Sequence, residues 1–123
     1  MPKFQPEGWH TITPRIFVPD PENLIAFIKF VFNGRGEFHP GRPAEIRVGD
    51  SVLMISDGDG IRERMPAFLY VYVEDVDATY GRAIAANALS VEEPADMPYG
   101  DRRATVKDKW GTTWQIATHK IDP

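Results

Sequence analysis

The feature of this sequence that most constrains its fold is a pattern that occurs twice along the chain. A β-forming segment ends at Val18, and Asp20 follows it in a position suited to the start of a helix. The same combination of strand, valine, aspartate and helix recurs 55 residues later, at Val73 and Asp75. Aspartate is a common N-cap residue, and an apolar run with helical spacing follows it at both positions. The pattern therefore predicts that a helix starts at each position.

A second repeated feature lies near the end of each half of the chain. The pattern Val-x-Asp precedes a strand candidate at residues 48–50 and again at residues 106–108, which is an offset of 58 residues. Two separate features with similar offsets favour an internal duplication of a unit of about 55–60 residues. The alternative is a generic α+β domain in which the similarity arose by chance.

The duplicated pattern predicts a specific order of elements. We expect helices from about residue 20 to 32 and from about 75 to 86, since both segments carry apolar residues at helical spacing. Alternating or β-rich segments predict strands at residues 11–18, 44–48, 51–56, 68–73, 91–93, 103–106 and 113–118. Residues 35–43 are rich in Gly, Pro and Arg and predict a loop or a short, poorly formed strand, and residues 94–101 predict a Pro/Gly loop.

Composition excludes several classes of function. The chain has 123 residues, which suits one compact domain, and a net charge of −4 with both signs interspersed. This distribution provides no basic surface for nucleic acid or for an anionic membrane. The absence of cysteine excludes disulfides, thiolate metal sites and cysteine nucleophiles. With no apolar run near 18 residues, we expect a cytoplasmic protein without a membrane partner.

Several segments resemble a known protein family, and they follow one another along nearly the whole chain: Thr11–Pro14, Ile46–Met54, Leu69–Asp77, Pro94–Arg102, Asp108–Gly111 and Trp114–His119. The chain resembles the vicinal oxygen chelate superfamily, which includes glyoxalase I, bleomycin-resistance proteins and extradiol dioxygenases. Within that superfamily it is most similar to an uncharacterised glyoxalase-like group related to phosphonate-operon proteins.

The resemblance implies an α+β fold in which two βαβββ half-modules form curled mixed sheets around a cavity. The single domain would span residues 1–123, with half-modules at about 10–58 and 66–120. Relatives usually dimerise, so the resemblance also implies a homodimer. Residues 35–43 depart from the family pattern, which predicts a truncated first half-module.

Metal-dependent members of the family place one ligand on the first and last strands of each half-module. The resemblance assigns these positions to Thr13, Met54, Phe68 and Gln115. This set does not suit a hard divalent cation, so we predict no metal and no other cofactor. The histidines His10, His39 and His119 are scattered along the chain and are interpreted as surface or structural residues.

Without a metal, function would depend on the residues that line the cavity. Alternation along the predicted strands, together with neighbouring loops, gives a largely apolar and aromatic set, which is typical of a small-molecule site. The candidates are Thr13, Arg15, Phe17, Glu45, Met54, Phe68, Tyr70, Tyr72, Tyr99, Arg102 and Gln115. The alternative is that the aromatic residues form core and that the loop before Arg103 is a solvated turn.

These observations favour a metal-free small-molecule binder of unknown ligand. A second hypothesis is a lyase or isomerase that acts on a small oxygenated substrate, with Arg15, Tyr70 and Glu45 as candidate groups. A third is a structural module that binds a partner protein. The sequence leaves all three open, and fold-level resemblance cannot decide among them because one fold hosts many chemistries.

Overall fold

A computed structural model describes residues 4–58 and 63–120. Its contacts divide the α+β chain into two units, one formed by residues 1–29 and 33–65 and the other by residues 30–32 and 66–123. Within the described residues, no helix is both long enough and apolar enough to span a membrane.

The first unit contains a three-stranded sheet with the order β1-β3-β2. Strand β1 (Arg15–Phe17) runs parallel to β3 (Ser51–Ser56), which pairs antiparallel with β2 (Ala44–Val48). Helix α1 (Pro21–Phe32) follows β1, as predicted from its aspartate and proline. It ends at Asn33, whose left-handed backbone (φ 56°) closes the last helical turn.

The predicted shortening of the first half is confirmed. The stretch from 35 to 43 contributes only an isolated bridge, in which Arg35 and Arg47 exchange backbone hydrogen bonds of 2.9 and 2.8 Å. The predicted first strand over residues 11–18 is also shorter than expected, because only Arg15–Phe17 pairs with β3. Proline at position 14 has no amide hydrogen for a sheet, although its carbonyl accepts from the Met54 amide.

The second unit contains the complete βαβββ arrangement, with the strand order β4-β7-β6-β5. Strand β4 (Phe68–Tyr72) is parallel to β7 (Thr113–His119), and β6 (Asp101–Lys107) is antiparallel to both β7 and β5 (Leu89–Asp96). Helix α2 (Val76–Ala85) begins after Asp75, whose carboxylate accepts a hydrogen bond from the Ala78 amide. This is the N-cap that the repeated pattern predicted.

Two predicted boundaries in the second unit were wrong. Strand β5 is longer than the short strand expected at 91–93, and β6 begins at Asp101 rather than Arg103. Only residues 97–100 remain as a turn, closed by a 2.7 Å hydrogen bond from the Met97 amide to the Asp101 carbonyl. The proline and glycine residues predicted a loop, but Pro94 lies between ladder pairs at an irregular point of the strand, where a missing amide hydrogen is tolerated.

Each unit has its own buried apolar face. In the first unit Ile16, Ile46 and Ile55 lie on the buried side of the sheet, and Leu24 and Ile28 of α1 are equally inaccessible. In the second unit the buried face includes Trp114, whose ring lies 4.8 Å from that of Phe32, a residue of the same unit. A tight turn before β7 supports this tryptophan, because the buried Asp108 accepts a 2.9 Å hydrogen bond from its indole nitrogen.

Candidate functional site

The second sheet presents one face that is not part of the core. In the observed register Tyr70 pairs with Gln115 and Tyr72 pairs with Ala117, so these side chains share the face opposite to Trp114. Phe68, Tyr70 and Tyr72 are 66%, 38% and 62% exposed, and they are therefore not core residues. The alternation that predicted Tyr70, Tyr72 and Gln115 on one face is thus confirmed, and we call it the tyrosine face.

A buried carboxylate organises the tyrosine face. Asp101 begins β6 and is only 3% exposed, although the rings around it are open. It accepts hydrogen bonds from the hydroxyls of Tyr70 (2.6 Å) and Tyr72 (3.0 Å). The third donor is Nδ1 of His119, at 2.8 Å, which lies directly across the β6–β7 ladder. Four side chains from three strands, β4, β6 and β7, therefore meet at this carboxylate.

Sequence reasoning missed Asp101 and His119 as site residues. The sequence predicts a Pro/Gly loop around Asp101, and it indicates a surface or structural histidine at position 119. The strand alternation already used for Gln115 extends through Ala117 to His119, and this signal could have found the histidine. His10 and His39 are exposed residues of the first unit.

The hydrogen bonds determine the ionisation states of the Asp101 carboxyl group and of the Tyr70 and Tyr72 phenols. The Tyr70 hydroxyl, followed by the His119 and Tyr72 hydrogen bonds, holds the pKa of Asp101 below its usual value. Burial, and then the hydrogen bond to Asp101, raises the pKa of Tyr70 above the ordinary value of a phenol. The hydrogen bond to Asp101 is also the main cause that raises the pKa of Tyr72. The carboxylate therefore stays charged at neutral pH, and both phenols stay neutral.

The polar network continues across the sheet to β5. The hydroxyls of Tyr70 and Tyr99 lie 3.0 Å apart, and Arg103 donates to the Tyr99 hydroxyl at 3.1 Å. The same guanidinium makes two hydrogen bonds to Glu92, from Nε at 3.1 Å and from Nη2 at 2.9 Å. Contacts of this kind connect side chains from all four strands and from the 97–100 turn, so the predicted candidate Tyr99 lies in the network.

Arg102 does not belong to the tyrosine face. It alternates to the other side of β6 from Arg103 and makes paired hydrogen bonds to Asp77 of 2.9 and 3.0 Å. A third hydrogen bond, of 3.2 Å, joins it to Asp96. With Met97, Lys120 and other residues, Arg102 lines a cavity of about 440 Å³ at the end of the sheet. The Arg102 side chain is therefore held by two carboxylates on the opposite side of β6 from the tyrosines, although Asp101 also lines its cavity.

The remaining candidates belong to the first unit. Arg15, Met54 and Glu45 form one row across its sheet, since Met54 on the central strand pairs with both neighbours. The Arg15 guanidinium lies 4.9 Å from the centre of the Phe17 ring, which is itself buried. Thr13 precedes β1 and is half-buried. The structure thus brings the candidates together in two sets, one in each unit.

The residues at the family's metal positions do not fit a divalent cation. Threonine, methionine, phenylalanine and glutamine supply no imidazole and no carboxylate, whereas such ions are bound mainly by these groups. Within residues 4–58 and 63–120, no group of three or more His, Cys, Asp or Glu residues is arranged to hold a metal ion. In the second unit Asp101 and the Nδ1 atom of His119 are hydrogen-bonded to each other at 2.8 Å.

Comparison with known proteins supports the fold. Among curated proteins, none matches the sequence. TioX from Micromonospora sp. ML1 is 24% identical, with a TM-score of 0.75 over 89% of this chain and 98% of that chain. A glyoxalase/bleomycin resistance protein/dioxygenase family enzyme from Burkholderia phytofirmans PsJN is 19% identical, with a TM-score of 0.72 over 87% and 96%. A glyoxalase-related enzyme from Fulvimarina pelagi is also 19% identical, with a TM-score of 0.71 over 89% and 87%.

A family model identifies the chain at the level of sequence. The model described as the Glyoxalase/Bleomycin resistance protein/Dioxygenase superfamily matches residues 5–116. This match covers both repeated halves and agrees with the two mixed sheets described above. The chain therefore belongs to the glyoxalase/bleomycin resistance protein/dioxygenase superfamily.

Proposed function

We propose that this protein is a metal-free small-molecule binder and that its ligand lies on the tyrosine face. The observation that carries the proposal is a set of open aromatic rings whose hydroxyls are held by one buried carboxylate. Tyr70, Tyr72 and Tyr99 are all exposed as residues, yet their hydroxyls are linked to Asp101 directly or through one another. Exposed aromatic surface of this kind is typical of a binding site.

The fixed hydroxyls support binding by lowering its entropic cost. A flexible side chain loses about 0.5–1.5 kcal/mol when a ligand immobilises it. The rings of Tyr70 and Tyr72 are already oriented, with their centres 5.3 Å apart and an interplanar angle of 60°. A planar ligand would therefore contact a surface that is ordered beforehand, and aromatic contacts contribute about 0.5–1.5 kcal/mol beyond the area they bury.

The hydrogen bond between Asp101 and His119 supports a second candidate function, a lyase or isomerase. A carboxylate that accepts from Nδ1 fixes the ring orientation and tautomer of a histidine, as it does in many acid–base sites. Of the groups first considered, Tyr70 belongs to this cluster, whereas Arg15 and Glu45 lie in the first unit. Turnover that is lost in His119→Gln while ligand affinity is kept would favour this function over simple binding.

We also propose a cytoplasmic homodimer that is related to the phosphonate-operon group of glyoxalase-like proteins. The sequence segments given above support the relationship to the phosphonate-operon group. The homodimer is supported by the fact that members of the family usually dimerise. The duplication supports treating residues 1–123 as one domain with half-modules at about 10–58 and 66–120. A strand–helix–strand order in both halves agrees with this division.

A ligand screen with matched variants tests the proposed function. Thermal shift and NMR titration with a panel of planar aromatic and carbonyl compounds should find compounds that stabilise the protein. Tyr72→Leu removes an exposed ring, so it should weaken binding about tenfold, which corresponds to about 1.4 kcal/mol. Val91→Ala is the control, because Val91 is also exposed but lies on β5. Failure of every compound, or equal affinity in Tyr72→Leu, would contradict the proposal.

The metal-free part of the proposal has its own measurement. Elemental analysis of protein purified without a histidine tag should find well under one equivalent of transition metal. A stoichiometric ion bound by two or more of Thr13, Met54, Phe68 and Gln115 would contradict it.

A further inference from the structure

We propose that the ligand of the tyrosine face carries a positive charge on a compact alkylammonium group, which binds over the tyrosine rings beside Asp101. This inference rests on the proposed function and names the chemical class of its ligand. It is carried by two observations in the second unit, namely the partners of Asp101 and the arrangement of the rings.

The first observation is that, within residues 4–58 and 63–120, no lysine or arginine is bonded to Asp101. Its partners are two phenols and one imidazole, and His119 adds a positive charge only when it is protonated. Glu92, on the same sheet, shows the contrasting arrangement, because Arg103 forms a salt bridge to it at 2.9 Å. Two carboxylates therefore serve one network, and only Glu92 has a guanidinium.

Other described cations of the second unit do not bond the Asp101 carboxylate. Arg102 is held by Asp77 and Asp96 on the opposite side of β6. Lys107 alternates with Asp101 onto the same side of β6, but it lies six residues along the strand, which corresponds to about 20 Å. Lys120 lines the same cavity as Arg102 and Asp101, and it acts electrostatically on Asp77. Near Tyr72 and His119, no described lysine or arginine is hydrogen-bonded to the Asp101 carboxylate.

The second observation is the arrangement of the rings. Tyr70 and Tyr72 pack edge to face, with ring centres 5.3 Å apart and an interplanar angle of 60°, and Tyr99 joins them through its hydroxyl. The face of an aromatic ring is negative, and a phenol that donates a hydrogen bond to a carboxylate has a more electron-rich ring. Clusters of such rings bind quaternary ammonium groups through cation–π attraction. Because Asp101 repels anions, the face favours a cation over a neutral or acidic ligand.

A pair of probes with the same shape tests the inference. The cation choline and the neutral 3,3-dimethyl-1-butanol have nearly the same shape, carry no group that ionises near pH 8.5, and differ essentially in charge. Calorimetric or NMR titration at pH 8.5 and low ionic strength should find the cation bound at least about tenfold more tightly. Asp101→Asn should bring this ratio close to one. Asp96→Asn is the matched control, since it makes the same change of charge at an exposed position of the same unit and should leave the ratio unchanged.

Two further variants keep the test valid if Asp101→Asn does not fold. Tyr72→Phe keeps the ring and removes its hydrogen bond to Asp101, so it should keep most of the preference for the cation. Tyr72→Leu removes the ring and should lose most of it.

The outcomes separate the inference from the proposed function. Equal affinity for both probes overturns the inference and leaves the tyrosine face as a site for neutral ligands. An equal loss in Asp101→Asn and Asp96→Asn also overturns it, since the attraction would then be a general effect of net charge. If neither probe binds, the inference fails, and the broader compound panel still decides the proposed function.

Discussion

Asp101 is a side chain whose importance depends on its neighbours rather than on its residue type. Aspartate at the end of a Pro/Gly-rich segment predicts a turn, and this expectation hid the residue. The tyrosines could be predicted, because period-2 alternation along β4 depends only on neighbouring residues in the sequence. Asp101 and His119 could not be paired in the same way, since their contact depends on the β6–β7 register, which joins residues 18 positions apart.

The lowered pKa of Asp101 leads to a prediction about pH. A carboxyl group whose pKa is lower in the folded state than in the unfolded state stabilises the fold above its ordinary pKa range. This stabilisation is lost as the pH falls through that range toward the folded pKa. Asp101→Asn should therefore be less stable than the wild type at pH 7, and the difference should narrow as the pH falls below about 4.

Urea unfolding at a series of pH values measures this effect. The exposed Asp96 provides the control, because Asp96→Asn should change stability by less than about 1 kcal/mol at neutral pH. A difference between wild type and Asp101→Asn that stays constant from pH 7 to pH 3 would show that the carboxylate charge is not involved.

At the scale of elements, the helices were predictable because both ends carry local signals. The sequence predicts α1 from about residue 20 to 32 and α2 from about 75 to 86, and the observed helices are Pro21–Phe32 and Val76–Ala85. The strands around residues 35–43 and 94–101 were harder to predict. In both places glycine and proline indicate a loop. The backbone instead makes an isolated bridge at Arg35 in the first stretch, and it continues an irregular strand, β5, into the second.

Gly36 explains why the truncated stretch has this composition. Its backbone has φ 132°, and a Cβ atom built there would lie 2.4 Å from the Glu45 carbonyl oxygen. Gly36→Ala should therefore destabilise the protein by roughly 2–4 kcal/mol, because both the backbone conformation and the contact oppose a side chain. Gly41→Ala is the matched control. Gly41 also has positive φ, at 83°, but a Cβ there would meet nothing within 4 Å.

Chemical denaturation compares the two alanine variants. The Gly41 variant should lose only about 1–2 kcal/mol, which is the ordinary cost of a left-handed residue. Equal losses in the two variants would mean that the close approach to Glu45 has no energetic effect.

At the scale of the whole molecule, the duplication predicts two similar halves, and this division remains a prediction. The predicted homodimer remains a prediction. A chain of 13.9 kDa with open sheet edges and exposed rings has a physical reason to bury more surface, and closed two-fold symmetry is the commonest solution. An obligate interface should bury at least roughly 2,000 Å² in total.

Light scattering after size-exclusion chromatography tests this prediction. At micromolar concentration the protein should have twice the mass of a single chain, and the value should hold on tenfold dilution. A persistent 13.9 kDa species would contradict the homodimer.

The irregular edge strand β5 should limit aggregation of this protein at high concentration. It forms one edge of the second sheet, and its pairing with β6 is interrupted between Ser90 and Glu92 and again between Glu92 and Ala95. Pro94 lies in the second interruption and offers no amide hydrogen. A strand from another molecule could therefore not form a regular ladder of backbone hydrogen bonds with β5. This backbone irregularity, together with the charges of Glu93 and Asp96 on the same strand, should protect the edge against amyloid-like stacking.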